Sequence, residues 1–137
     1  MSRHISDSVR KIVEDRANRR CEYCRISMDD TYFGGEVDHI RSLKHGGKTE
    51  IENLALACMP CNRNKGTDLG SVPAGSEDIV AFFDPRKDRW EEHFKLGTEA
   101  EIVALTRTGE VTANIFRFND PERLVERRGL VELGRYN

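Results

Sequence analysis

The residues able to do chemistry here are four cysteines, an Asp-His pair and two asparagines. The cysteines form two Cys-x-x-Cys pairs, Cys21/Cys24 and Cys58/Cys61, with none left over. A two-residue gap lets both thiolates of a pair turn toward one ion, and two such knuckles supply a closed tetrahedral set. Zinc suits that set, being tetrahedral, thiophilic and redox-inert. Disulfides are the competing reading, and the expectation of a cytoplasmic chain argues against them. Thiol-exchange chemistry would need one low-pKa pair after a strand, not two pairs. A four-cysteine site has no open position, so its ion is expected to hold structure. The knuckles are 33 residues apart, longer than the zinc-ribbon interval of about 15–20. The insert between them carries the remaining chemistry.

Val37-Asp38-His39-Ile40, Glu52-Asn53-Leu54 and Cys61-Asn62-Arg63-Asn64-Lys65 lie within and beside the knuckles. Breaking a phosphodiester needs a base for water, a cation for the developing charge and groups that hold both in place. His39 can be the base. Asp38 is a hard oxygen ligand suited to a magnesium-like ion, and Asn62 offers a second, neutral oxygen at a helix start. Asn53 can tie a loop down through its amide and so orient His39. Each residue also has a structural reading: Asn53 as a turn residue, Asn62 as a helix cap, Asp38-His39 as ordinary strand. Neighbouring strand residues face opposite ways, so Asp38 and His39 reach one phosphate only if the strand ends or bends there. Arg41, Lys44, Lys48 and Arg63 flank the site as phosphate contacts, with Arg63 and Lys65 first in line. His45 reads as a solvated loop residue, His93 as packing or surface, and Glu36 as solvent-facing.

In their order, these motifs resemble the zinc-containing four-cysteine branch of the HNH endonucleases, in an HNN-type variant. The resemblance rests on Cys-x-x-Cys, Asp-His-Ile, a Gly-Gly loop, Glu-Asn-Leu and Cys-x-x-Cys-Asn-x-x-Lys. It covers Cys21 to Gly66, about a third of the chain. It implies a ββα-metal module, with His39 as general base and one catalytic ion on Asp38 and Asn62. It implies that Asn53 positions the active-site loop and that Lys65 faces the phosphate backbone. Asn62 stands where many members have His, which favours Mg2+ or Mn2+ over softer ions. DNA is the implied substrate, cut to 3′-hydroxyl and 5′-phosphate ends, and RNA stays open. The alternative reading is a zinc-framed DNA-binding or interaction module without catalysis.

The elements that must position these residues follow from pattern. Ile5, Val9, Ile12 and Val13 recur at helical spacing, with Ser6 or Asp7 as cap. Glu36–Ile40 and Leu54–Ala57 read as short strands, and Asn62–Lys65 as the start of a helix ended near Gly66. Gly70–Ser76 reads as a linker. Beyond it, Glu101–Thr106 and Val111–Phe118 look strand-like, with Thr108-Gly109 as a hairpin turn, and Pro121 opens a last helix. The expected class is α+β. A nuclease domain at 1–69 carries an N-terminal helix, and a C-terminal α+β extension at 77–137 packs on it with a β-hairpin.

The formal net charge is −2, so nucleic-acid binding is not advertised globally. Residues 1–66 hold 12 Lys and Arg against 10 Asp and Glu, while residues 67–137 hold 10 against 14. A DNA-facing surface is therefore expected in the first half. No apolar run is long enough for a membrane span, and the charged N-terminus lacks a signal-like core. No membrane partner is expected, and monomer and homodimer are both open.

Overall fold

The computed structural model describes residues 4–136; the charged N-terminus discussed above falls partly on residues 1–3, outside that range. The first helix, α1 (Asp7–Arg16), starts where Ser6 Oγ accepts the Val9 N–H, as an N-cap does. It ends where Asn18 and Arg19 take positive φ. Val13 is fully buried against the sheet, whereas Ile12 of the same periodic set is 44% exposed. Arg16 donates to the Ile51 and Leu54 carbonyls at 3.0 and 2.6 Å, tying α1 to the strand that follows.

Two antiparallel strands come next, β1 (Gly35–His39) and β2 (Leu54–Cys58), with His39 opposite Leu54 and Gly35 opposite Cys58. All five residues of β2 are buried, which fits its continuous apolar run. It runs straight into α2 (Met59–Lys65), ended by Gly66 at φ 54°. This β1–β2–α2 unit is a ββα module, with the first cysteine knuckle before it and the second at its β2–α2 junction.

The segment read as a linker opens with a two-residue strand, β3 (Gly70–Ser71), paired to β4 (Val80–Ala81). Further on come α3 (Trp90–His93) and a hairpin of β5 (Phe94–Leu96) and β6 (Ile102–Ala104). The hairpin expected across Thr108-Gly109 is not there. Residues Arg107–Ile115 form a helix, α4, capped by Thr106 Oγ1 accepting the Gly109 N–H at 3.0 Å. Its buried residues Gly109, Val111 and Thr112 lie on one helical face. Gly109 is needed there, because a Cβ would come within 2.4 Å of the His93 carbonyl oxygen. The last helix, α5 (Pro121–Glu132), opens on Pro121 as expected.

One hydrophobic core joins both halves of the chain. Val13, Tyr23, Leu54 and Leu56 share it with Phe82, Phe83, Phe94, Phe116 and Phe118. Phe116 stands edge-on to Tyr23 at 5.0 Å between ring centroids. Trp90 donates from its indole to the Tyr23 carbonyl at 2.8 Å. The aromatic residues of the C-terminal region thus buttress the first knuckle.

Candidate active site and metal centre

Cys21 and Cys24 lie on a tight turn closed by Cys21 N–H on the Ile26 carbonyl, with Arg25 at φ 74°. Cys58 ends β2 and Cys61 sits in the first turn of α2. The four sulfurs are buried and lie within 4.8 Å of one another, Cys24 and Cys58 at 3.6 Å. A tetrahedral ion with bonds of about 2.3 Å sets its ligands about 3.8 Å apart. The donor set therefore fits, and the cluster suggests a structural zinc held by Cys21, Cys24, Cys58 and Cys61. Glu22 fastens this knuckle to β2: its N–H donates to the Leu56 carbonyl and its carboxylate accepts the Leu56 N–H, at 2.8 and 2.9 Å.

β1 ends at His39, which is the condition for two neighbouring strand residues to serve one site. Glu36 and Asp38 lie on the face covered by α2, Val37 and His39 on the other. Asp38 is 5% exposed. Its Oδ2 accepts the Tyr23 hydroxyl at 2.7 Å and its Oδ1 faces the Lys65 ammonium at 3.2 Å. Burial pushes the Asp38 carboxyl above its usual range, while Lys65 and Tyr23 pull it back. Burial, with Asp38 beside it, holds the Tyr23 phenol well above its ordinary value, so Tyr23 remains a proton donor.

Lys65 is not at the surface where a backbone phosphate would meet it. It is 2% exposed, and its ammonium also donates to the His39 carbonyl at 2.9 Å. Arg41 and Arg63, by contrast, are exposed. Asn62, one turn before Lys65, is brought against Glu36, its amide nitrogen donating to the carboxylate. Asp38, His39 and Asn62, together with Ser42, Lys44 and Thr67, line one open cleft of about 330 Å³.

Asn53 makes three hydrogen bonds to the loop 41–48. Its Oδ1 accepts the Arg41 N–H, and its Nδ2 donates to the Arg41 and Lys48 carbonyls, each at 2.9 Å. Gly47 permits this closeness, since a Cβ there would stand 1.7 Å from the Arg41 carbonyl oxygen. The loop then delivers Thr49, whose hydroxyl meets His39 Nε2 at 2.9 Å. His45 is exposed, and His93 is bound to Thr106 at 2.6 Å, away from this cleft.

Four residues at the site were not singled out by motif. Tyr23 is one of the two spacer positions of the first knuckle, and Thr49 follows the Gly-Gly loop. Glu36 carries a signal that was readable: it stands two positions before Asp38, hence on the same strand face. Arg123 lies 62 positions beyond Cys61 and donates to its sulfur at 3.1 Å, and no local pattern announces it.

Residues 21–68 match the family model for HNH endonuclease. Over 148 aligned positions the chain is 27% identical to the Septu protein PtuA of Bacillus mycoides (strain KBAB4), an alignment covering 88% of this chain and 20% of that protein. The chain thus spans about a fifth of the length of the curated relative it matches. No solved structure matches significantly. Among the described residues no helix is long and apolar enough to cross a membrane.

Proposed function

We propose, with residues 21–68 an HNH-type domain as the premise, that this protein is a metal-dependent endonuclease acting on DNA. The observation that carries the reading is the single cleft lined by Asp38, His39 and Asn62. In that cleft His39 is the general base. The contact of its Nε2 with Thr49 orients the ring, and the imidazole takes a proton from the attacking water. Water oxygen bonds to phosphorus as the bond to O3′ breaks, leaving a 3′-hydroxyl and a 5′-phosphate.

Asp38 and Asn62 would hold one hard divalent ion, Mg2+ or Mn2+. Such an ion supplies charge stabilisation at the leaving oxygen. A carboxylate offers about four lone-pair positions, so Asp38 has capacity beyond Tyr23 and Lys65. The Asn62 amide has its nitrogen turned to Glu36, which leaves its oxygen for the ion. Asn53 holds the loop that aims Thr49, and through it the His39 ring. Arg41 and Arg63 are the cations placed to meet flanking phosphates. The four-cysteine zinc keeps β2 and α2 in register with the first knuckle.

One observation favours the alternative, a zinc-framed DNA-binding module without catalysis: both Asp38 oxygens already have partners in the protein. A plasmid-nicking assay with Mg2+ separates the two readings. Loss of a general base costs about 10²–10⁴ in rate, so His39→Ala should lose most cleavage while keeping zinc and fold. Equal cleavage by wild type and His39→Ala, or none by either, refutes the catalytic assignment.

A further inference from the structure

The cysteines of the metal centre end at Cys61, but a cation that touches them comes from α5. Arg123 Nη2 points at the Cys61 sulfur at 3.1 Å and at the Cys58 sulfur at 3.8 Å. Its other terminal nitrogen donates to the carbonyls of Phe116 and Arg117 at 2.7 and 3.1 Å. The guanidinium lies 5.8 Å from the Phe118 ring centroid. Its position is therefore fixed by the turn between α4 and α5, not by the knuckles. The Tyr136 hydroxyl donates to the Cys24 carbonyl. Both contacts come from outside the matched segment 21–68.

Four thiolates around a divalent ion carry a net charge of −2 in a buried place, and uncompensated buried charge is costly. A guanidinium halves that charge. Its N–H groups bond to sulfur with charge assistance, which holds the ligand sulfurs in place. Lys could supply the charge but not the planar fork that reaches two sulfurs and two carbonyls at once.

We propose that the C-terminal helix completes the zinc centre: Arg123 is a positioning residue that sets how firmly the four cysteines retain their ion. The C-terminal region is then part of the metal centre. Retention of zinc depends on the Arg123 contact itself, and it does so whether or not the protein cleaves DNA.

The test uses the full chain, wild type beside Arg123→Met, Arg123→Lys and Arg127→Met. Arg127 is the control because it is buried in the same helix and bonds the Phe118 and Ala100 carbonyls at 2.6 and 3.1 Å. Two quantities are read: the rate of zinc transfer to a chromophoric chelator, and the visible spectrum after Co2+ replaces zinc. Removing a group that orients metal ligands costs about 10–100-fold in metal affinity. Arg123→Met should release zinc faster by a factor of that order and shift the sulfur-to-cobalt bands, with Arg123→Lys between it and wild type. Arg127→Met should lower Tm while keeping the wild-type bands. If Arg123→Met does not fold, the release rate and bands of Arg123→Lys decide alone. Wild-type release and bands in the Arg123 variants overturn the proposal. So does an Arg127→Met that matches Arg123→Met in both, because release would then follow loosened packing. A chain that takes up neither Zn2+ nor Co2+ overturns it as well.

Discussion

Replacing Lys65 by Met removes the ammonium bonded to Asp38 Oδ1 at 3.2 Å and leaves a carboxylate that is 5% exposed. At an effective dielectric of about 20 the pair's attraction at this separation is roughly 5 kcal/mol. Desolvation of both groups offsets much of that, so the pair's net worth is small. Breaking it is another matter, since one buried charge is left alone, at a cost of about 3–5 kcal/mol. Tyr23 still donates to Asp38 Oδ2, which puts Lys65→Met at the lower end, about 3 kcal/mol. The pH dependence has a definite sign. Asp38's folded pKa is already raised by burial, so its ionisation costs stability as pH rises through that value. Without Lys65 the value rises further. The deficit of Lys65→Met should be largest near pH 8 and shrink as pH falls and the carboxyl takes a proton. Urea unfolding with zinc in excess, at a series of pH values falling from 8, measures it. A surface lysine on a phosphate behaves oppositely: stability barely changes, and the slope of log K for DNA against log salt drops by about 0.9. That pair of results, with a deficit under about 1 kcal/mol, would refute the buried-pair reasoning.

Asn53→Ala strips three hydrogen bonds from the loop 41–48 and leaves backbone groups unpaired, at about 1–3 kcal/mol. Limited proteolysis should cut that loop sooner than in wild type, and cleavage of plasmid should fall with it. Gly47→Ala should open the same loop, since its Cβ cannot coexist with the Arg41 carbonyl; unchanged proteolysis would contradict the geometry. Glu36→Gln keeps an acceptor for the Asn62 amide, whereas Glu36→Ala does not. If Glu36 orients Asn62, titration with Mn2+ should show weaker binding in Glu36→Ala and near-normal binding in Glu36→Gln. Equal loss in both would instead make Glu36 a charged ligand. Chelation of zinc should abolish the cooperative thermal transition, because binding at such sites contributes about 10–16 kcal/mol in small peptides.

The ββα module was legible because its signals are local. Leu54-Ala-Leu-Ala reads as a buried strand, Cys58 to Cys61 as a knuckle, and Gly66 as a helix end, and each of these falls within a few residues. Asn53 was legible for the same reason: an amide just before a buried strand is placed to bond the loop that the strand closes. Lys65 was not, because a lysine in sequence is equally a solvated cation or half of a buried pair. What decides is Asp38, 27 positions earlier, on the face that α2 covers.

The segment Val111–Phe118 shows how a helix can look like a strand. Val111, Ala113 and Ile115 alternate with Thr112 and Asn114, the period of two expected of a half-buried strand. Thr112 breaks the inference. It is fully buried, and its hydroxyl donates to the Thr108 carbonyl at 2.7 Å and accepts the Phe83 N–H at 2.8 Å. A polar residue with both bonds made inside the core counts as an inward position, and with it the inward set becomes Gly109, Thr112 and Phe116, spaced as in a helix. The Phe83 partner lies 29 positions away, so no window of the sequence could have shown it. The same long reach brings Arg123 to Cys61 and Trp90 to Tyr23. What local pattern encodes here is the set of groups that converge on the cleft. What holds those groups still is encoded by contacts between distant parts of the chain, which is why the C-terminal region looked idle in the sequence and is not idle in the fold.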